Sequence, residues 1–491
     1  MTEPSRLRES VTARALAQSL DMTAVLGRVG PMYASLARDL QRLVEDGAVA
    51  AEARMPSERV LARVLGVSRV TVASAYRELR EQGVLTSVHG AGTFVVPRSD
   101  TRPWGRLVTG DGPDVLEFVN AAPPASSFLG AAYEAAARGL ATTAAHPGYV
   151  PGGASRLREA IARRYTARGL PTTPDQVMIT AGATDAIHAV VAALVGPGNR
   201  VLVEHPTYPG ALDTLRAVGA TCIPVALDPN DPDAFVEAAD RAARQHDPVL
   251  AYLMPDHANP SGAVLPTDTR RRLAATLHRR GVVTVVDEVS VDLDLDGHGP
   301  TEPFGAPVPD RAAVTVGSLS KSVWGGLRVG WVRADPAHLA AVATVYSARQ
   351  LTVSLIDQYA AIELLGDYEA VVAHRCDQLR TSRDALTAAL SRSLPGWSFR
   401  SPPGGLSLWC ALPAGERSTD LVDRARERGL MLAPGTRFGT GYAFDECQRI
   451  PFTRTPAEIE DAVAVLAELM GGANAGPRER VPSRAVPEAV V

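Results

Sequence analysis

One residue type in this chain could do covalent chemistry at a single place. Of the 50 Lys and Arg residues among 491, 49 are Arg, so Lys321 is the only lysine. The Arg excess itself is a composition bias, since either charge keeps a surface solvated. The exception has another meaning: a guanidinium stays charged at any accessible pH, whereas a lysine amine can lose its proton and act as a nucleophile. Lys321 lies in GSLSKSVWGGLRVGW (317–331), which also brings Ser318, Ser320 and Arg328, two hydroxyls and a guanidinium suited to a phosphate. AGATDA (181–186) opens a helix and offers the amides of Gly182, Ala183 and Thr184 to an anion. HPTYPG places Tyr208 just past a strand, and HANPSG sets Asn259 in a tight turn. Taken singly, the glycine turn, the aromatic and the amide fit ordinary packing equally well. Asp287 ends the buried run VVTVVDE, where an unpaired carboxylate is costly and so predicts a cationic partner.

An α/β domain has to position these groups. The apolar runs QVMIT (176–180), RVLVE (200–204), VLAYLM (249–254), VVTVVDE (282–288) and AVTVGS (313–318) alternate with amphipathic segments such as 184–194 and 267–280. Continuous β-branched runs separated by helices describe a mostly parallel sheet, expected over residues 115–470. Such sheets bind ligands beyond the carboxyl ends of their strands, which is where the groups above fall.

Bulk composition narrows the remaining classes. With 46% hydrophobic and 21% charged residues the chain is ordinary globular protein, long enough for more than one domain. A formal charge of −4 means that any nucleic-acid contact must come from a local patch. Cys222, Cys376, Cys410 and Cys447 show no C-x-x-C spacing, which argues against a metal site and against a disulfide framework. No apolar run reaches the roughly 18 residues of a membrane span, and the N-terminus lacks the apolar core of a signal peptide. A cytoplasmic location without membrane association is expected.

Residues 31–97 form a second, smaller unit. Leu36, Leu40, Leu43 and Val44 recur at helical spacing in 33–46. Ser57 caps a second helix that Gly66 closes after Leu65. Ser68 caps a third, running to about Gln82, with Val72, Ala75, Tyr76 and Leu79 on one face and Arg69, Thr71, Ser74, Arg77 and Arg80 on the other. Residues 84–96 read as a glycine-tipped hairpin, and this order is that of a winged helix-turn-helix. Nine basic residues against seven acidic ones in 31–98 leave DNA binding and mere solubility both open. An N-terminal arm (1–30) with a weak amphipathic helix, a linker (98–114) and a disordered tail (471–491) complete the expected organisation.

The stretches PMYASLARDLQRLVEDG and RMPSERVLARVLGVSRVTVASAYRELREQGVLTSVHGAGTFV resemble the DNA-binding domain of GntR-type bacterial regulators. That resemblance implies a recognition helix in the major groove and a wing against the minor groove of a double-stranded DNA operator. Arg59, Ser68, Arg69, Thr71, His89 and Gly90 would be its contacts, with Arg suited to a guanine edge and hydroxyls and amides to phosphates. Residues 115–470 resemble fold type I aminotransferases, and a winged helix joined to that domain is similar to the MocR subfamily of GntR regulators.

The cofactor implied is pyridoxal 5'-phosphate, which needs an attaching lysine, an acid for its pyridine nitrogen, a phosphate cup, a stacking aromatic and a donor to its phenolic oxygen. On this likeness Lys321 attaches it, Asp287 pairs with the pyridine nitrogen, Asn259 bonds the phenolic oxygen and Tyr208 stacks on the ring. Gly182, Ala183, Thr184, Ser318, Ser320 and Arg328 would hold the phosphate. Arg449, in QRIPF, matches a clamp for a substrate or effector carboxylate, and Tyr149, in GYVPGG, matches a residue that reaches the partner's phosphate in the family's homodimers.

One position departs from the pattern. Many members carry a Tyr two or three residues after the Asp, where this chain has Val289 and Ser290, which puts efficient transamination in doubt more than cofactor binding. The implied function is a homodimeric transcriptional regulator whose aminotransferase-like domain senses pyridoxal phosphate or a small amino-compound effector. The alternative is an active aminotransferase with a fused DNA-binding domain, and steady-state keto acid formation separates the two.

Overall fold

The computed structural model describes residues 11–20, 22, 31–45, 49, 53–81, 84–88, 92–96, 115–141, 147–228, 231–299, 301–441 and 443–471. The expected linker, 98–114, falls wholly outside these residues, and so does the expected tail beyond residue 471.

The N-terminal unit contains α1 (Ala13–Ser19), α2 (Met32–Glu45), α3 (Glu58–Leu65), α4 (Arg69–Glu81) and the hairpin β1 (Leu85–Val88) and β2 (Gly92–Val95). Local chemistry sets the boundaries. The Ser57 hydroxyl accepts the Val60 amide at the start of α3, and Gly66 ends that helix at φ 70°, in the left-handed region a side chain disfavours. At α4 the Ser68 hydroxyl accepts the Thr71 amide at 3.0 Å. Leu36, Leu40, Leu61, Val72, Ala75 and Leu79 share one core, to which α1 adds Ala13 and Leu16. The stretch expected as an arm therefore contributes to the fold, because its apolar residues have a face to cover.

The larger unit begins with β3 (Leu116–Phe118), α5 (Leu129–Ala141), α6 (Ser155–Ala167), β4 (Val177–Thr180), α7 (Ala183–Leu194), β5 (Arg200–His205), α8 (Pro209–Ala217), β6 (Thr221–Ala226) and α9 (Pro232–His246). It continues with β7 (Leu250–Leu253), α10 (Thr267–Arg279), β8 (Val283–Asp287), β9 (Ala313–Ser318), β10 (Gly330–Arg333), α11 (Pro336–Ser347), α12 (Leu355–Gly366) and α13 (Tyr368–Ser393). It closes with β11 (Ser398–Phe399), β12 (Ser407–Ala411), α14 (Ser418–Arg426), β13 (Leu430–Leu432), β14 (Cys447–Pro451) and α15 (Pro456–Gly471).

Among the described residues seven strands form the central sheet in the order β4-β10-β9-β8-β7-β5-β6. All neighbours pair in parallel except β10, which is antiparallel to both β4 and β9. The reason is the connection: β9 reaches β10 through the turn that carries Lys321, with no crossover helix to bring the chain back to its starting end. A small lobe packs the sheet β11-β12-β14 and the pair β13-β3 against α13, α14 and α15 around Leu386, Leu408, Leu421 and Ile450.

Candidate functional site

The carboxyl ends of β4, β5, β7, β8 and β9 face one cavity of about 160 Å³, closed on its far side by Leu406 and Ser407 of the small lobe. Ala183, Thr184, Tyr208, Asn259, Asp287, Ser320, Lys321 and Arg328 all line it. Residues up to 145 positions apart in the chain are thus gathered by the sheet.

Lys321 leaves β9 on the turn toward β10, and its amine donates to the Ala121 carbonyl at 2.7 Å. Burial pulls the amine down to about 8, helped by the positive charges of Arg449 and Arg328 and opposed by Asp287. Asp287 is buried at the end of β8; it accepts the Tyr252 hydroxyl at 2.6 Å and the Val289 amide at 3.0 Å. Burial raises its pKa against both hydrogen bonds and the Lys321 charge. Among the described residues the cationic partner expected for it is not supplied by a salt bridge; its hydrogen-bond donors are neutral. Asn259 Oδ1 is buried and has no hydrogen-bond partner among the described residues.

The anion cup is built around a glycine. Gly182 precedes α7 at φ 94°, and a β-carbon there would lie 2.9 Å from the Arg328 guanidinium. Arg328, itself at φ 52°, bonds the Ala181 and Gly325 carbonyls and lies exposed over the first turn of α7. Tyr208 packs its hydroxyl 3.3 Å from Thr184. Ser318 sits deeper than expected: its hydroxyl donates to the Val329 carbonyl at 2.9 Å and accepts the Ser320 amide at 3.1 Å, holding the turn beneath the cup.

The expected residues Gly182 and Ser318 do not line the cavity but adjoin residues that do, and Arg449 and Tyr149 lie off it. Arg449 is buried on β14, bonded to the Val119 carbonyl, with its guanidinium 4.9 Å from the Phe438 ring centre. Burial lowers its pKa to about 10, so it stays charged at neutral pH, and its Nε has no partner among the described residues. Tyr149 is 60% exposed and does not line the cavity of its own chain. In the N-terminal unit Arg59, Ser68 and Arg69 are exposed and Thr71 is half-buried, while His89 and Gly90 lie outside the described residues. Arg69 is 3.7 Å from Glu58, with 72% of its side chain exposed.

Three groups escaped the sequence reading, of which only His257 lines the cavity. Tyr252 sits inside an apolar strand, and only its hydroxyl distinguished it there. His257, at φ 49°, faces the cavity with Nδ1 unpartnered among the described residues, and burial lowers its pKa. Glu204 is fully buried on β5, where burial first and then the charge of Asp287 raise its pKa to about 8; its Oε2 accepts the Met254 amide at 3.0 Å.

The residues present fit pyridoxal phosphate. The cavity holds a primary amine, a buried carboxylate held by neutral donors, a side-chain amide, that of Asn259, whose NH2 can donate, and a glycine-based cup under a guanidinium.

Comparison with known proteins agrees. Residues 126–466 match the family described as aminotransferase class I and II, and residues 32–95 match bacterial regulatory proteins of the gntR family. The chain is 28% identical to the HTH-type pyridoxine biosynthesis transcriptional regulator PdxR of Corynebacterium glutamicum, over 88% of this chain and 95% of that one. It is 27% identical to the HTH-type transcriptional regulator TauR of Rhodobacter capsulatus, over 89% and 96%. The structure of LysN, the alpha-aminoadipate aminotransferase of Thermus thermophilus complexed with N-(5'-phosphopyridoxyl)-L-leucine, superposes with a TM-score of 0.67 at 26% identity, covering 73% of this chain and 93% of that one.

Proposed function

We propose, for a chain that belongs to the aminotransferase class I and II family and carries a gntR-family regulatory domain, that it is a pyridoxal-phosphate-dependent, DNA-binding transcriptional regulator. The observation that carries this reading is the position of Lys321, the one lysine, in a cavity shared with Asp287, Asn259 and Arg328 and joined in one polypeptide to a winged helix.

When bound, pyridoxal phosphate supplies an aldehyde that condenses with primary amines and an electron-withdrawing ring. The chain's own residues prepare for it. With its pKa near 8, about one Lys321 amine in ten is neutral at pH 7, against about three in ten thousand for an unshifted lysine. The Ala121 carbonyl holds that amine in place. Tyr252 and the Val289 amide orient the Asp287 carboxylate for a protonated ring nitrogen, and Asn259 offers its amide to a phenolic oxygen. The N-terminus of α7 and Arg328 would hold the phosphate.

Regulation follows from competition at one amine. An amino compound with a carboxylate would place its amine beside Lys321 and its anion at Arg449, a buried cation that forms no ion pair among the described residues. Either event would bias the orientation of the DNA-binding unit. A homodimer would place two recognition helices on repeated or inverted half-sites, and the exposure of Tyr149 suits a role across the subunit interface. Val289 and Ser290, both lining the cavity where many relatives have a tyrosine hydroxyl, favour sensing over turnover.

Borohydride reduction of the cofactor-loaded protein, followed by peptide mass mapping, tests the reading. A phosphopyridoxyl label on Lys321 is expected. A protein that takes up cofactor yet carries no label on Lys321 would show the assignment to be wrong.

A further inference from the structure

The two units meet at a buried arginine. Arg42, on α2 of the DNA-binding unit, is 9% exposed and reaches α14 of the small lobe. It donates to the Thr419 hydroxyl at 2.9 Å, to Asp420 at 3.1 Å and to Asp423 at 3.0 Å, with Asp39 of its own helix 3.8 Å away. Three charge-assisted contacts from one desolvated guanidinium make a directional joint rather than an incidental surface pair.

The joint grips the back of the winged helix. α2 packs on the apolar face of α4, so Ser68 and Arg69 on the opposite face remain open to DNA. Orientation is what the joint sets, not access.

The small-lobe side of the joint leads to the loop beside Arg449. The Thr419 hydroxyl that accepts from Arg42 donates to Asp445 at 3.1 Å, and the same buried carboxylate accepts the Thr419 amide at 3.0 Å and the Ser418 hydroxyl at 3.1 Å. Ser418 in turn accepts the Gly435 amide at 2.9 Å. Asp445 and Gly435 thus anchor both ends of the loop that carries Phe438 and Phe444. Phe438 lies under Arg449, its carbonyl accepts the Thr207 amide at 2.8 Å, and Phe444 packs on His205 at 4.5 Å between ring centres.

We propose that Arg42 is an electrostatic latch that fixes the DNA-binding unit on the small lobe, and that Asp445 couples it to the loop beside Arg449. This deepens the regulatory reading above and rests on it for the identity of the ligand, though not for the latch itself. A ligand carboxylate that draws Arg449 and Phe438 away moves the Asp445 anchor, and the latch then sets a different angle for the winged helix.

Selection from a randomised duplex DNA pool with the full-length, cofactor-loaded chain tests the latch. The wild type selects paired half-sites at one spacing, Arg42→Glu selects half-sites without fixed spacing, and Arg42→Glu combined with Asp420→Arg and Asp423→Arg regains the fixed spacing. The partner-side pair Asp420→Asn with Asp423→Asn repeats the loss without touching the DNA-binding unit. Fixed spacing in both the Arg42→Glu and the partner-side variants would overturn the latch.

Hydrogen exchange tests the coupling, with maleate as a carboxylate probe that brings no amine. Maleate speeds exchange at α2 amides in the wild type by roughly tenfold or more, the scale of one charged hydrogen bond, and leaves them unchanged in Asp445→Asn. A response confined to residues 435–441 and 443–446 in the wild type would overturn it. Labelling of Lys321 by borohydride is scored on the same samples. Its absence would refute the cofactor reading while the spacing result still decides the latch.

Discussion

Lys321 differs from the arginines around it in one property, the capacity to be neutral, and its surroundings enlarge that capacity. Burial and the charges of Arg449 and Arg328 lower its pKa to about 8, while Asp287 pulls the other way. The rate at which the cofactor-free protein takes up pyridoxal phosphate, followed by stopped-flow absorbance, should therefore rise with pH and level off above about 8. Removing a positive neighbour favours the charged amine, so Arg449→Gln should move that midpoint to higher pH. A midpoint that stays put would show that Arg449 is electrically remote from the amine. Tyr252 acts one step further back. It donates to Asp287, which burial already pushes toward neutrality, so Tyr252→Phe should raise the pKa of Asp287 further and weaken cofactor binding by roughly tenfold. Equilibrium dialysis would measure it; unchanged affinity would place the orientation of Asp287 elsewhere.

Helices, strands and the turns between them position these groups. The turn after β4 needs glycine twice over, for its φ of 94° and for the arginine packed on it. Gly182→Ala should lower cofactor affinity while leaving DNA binding by α4 intact; equal affinity would mean that the cup tolerates the displaced Arg328. In the recognition helix, Arg69→Ala should cost about 1–3 kcal/mol of operator binding if it reads a base edge, with Lys321 labelling unchanged. Caps and buried runs were legible because their causes are local: Ser57, Gly66, Ser68 and the β-branched strands act on their own neighbours. Lys321 and Asp287 were legible because their types are costly or singular where they stand. Tyr252 was hidden, since a tyrosine in an apolar strand packs like any aromatic until its hydroxyl finds Asp287 35 residues on. The antiparallel course of β10 and the reach of Arg42 to α14 depend on tertiary paths that no window of sequence spans.

One chain joins a gntR-family DNA-binding unit to a cavity organised around a single amine. The joint between the units, Arg42 against Thr419, Asp420 and Asp423, ties the winged helix to the lobe that carries Arg449. If cofactor occupancy and DNA binding are linked, each must alter the other by the same factor. The most direct measurement is the affinity of the full-length protein for its selected duplex, by fluorescence anisotropy, with and without pyridoxal phosphate, in the wild type and in Lys321→Ala. The cofactor should change wild-type affinity by roughly fivefold or more and leave Lys321→Ala unchanged. A wild-type affinity indifferent to the cofactor, or an equal response in Lys321→Ala, would contradict it.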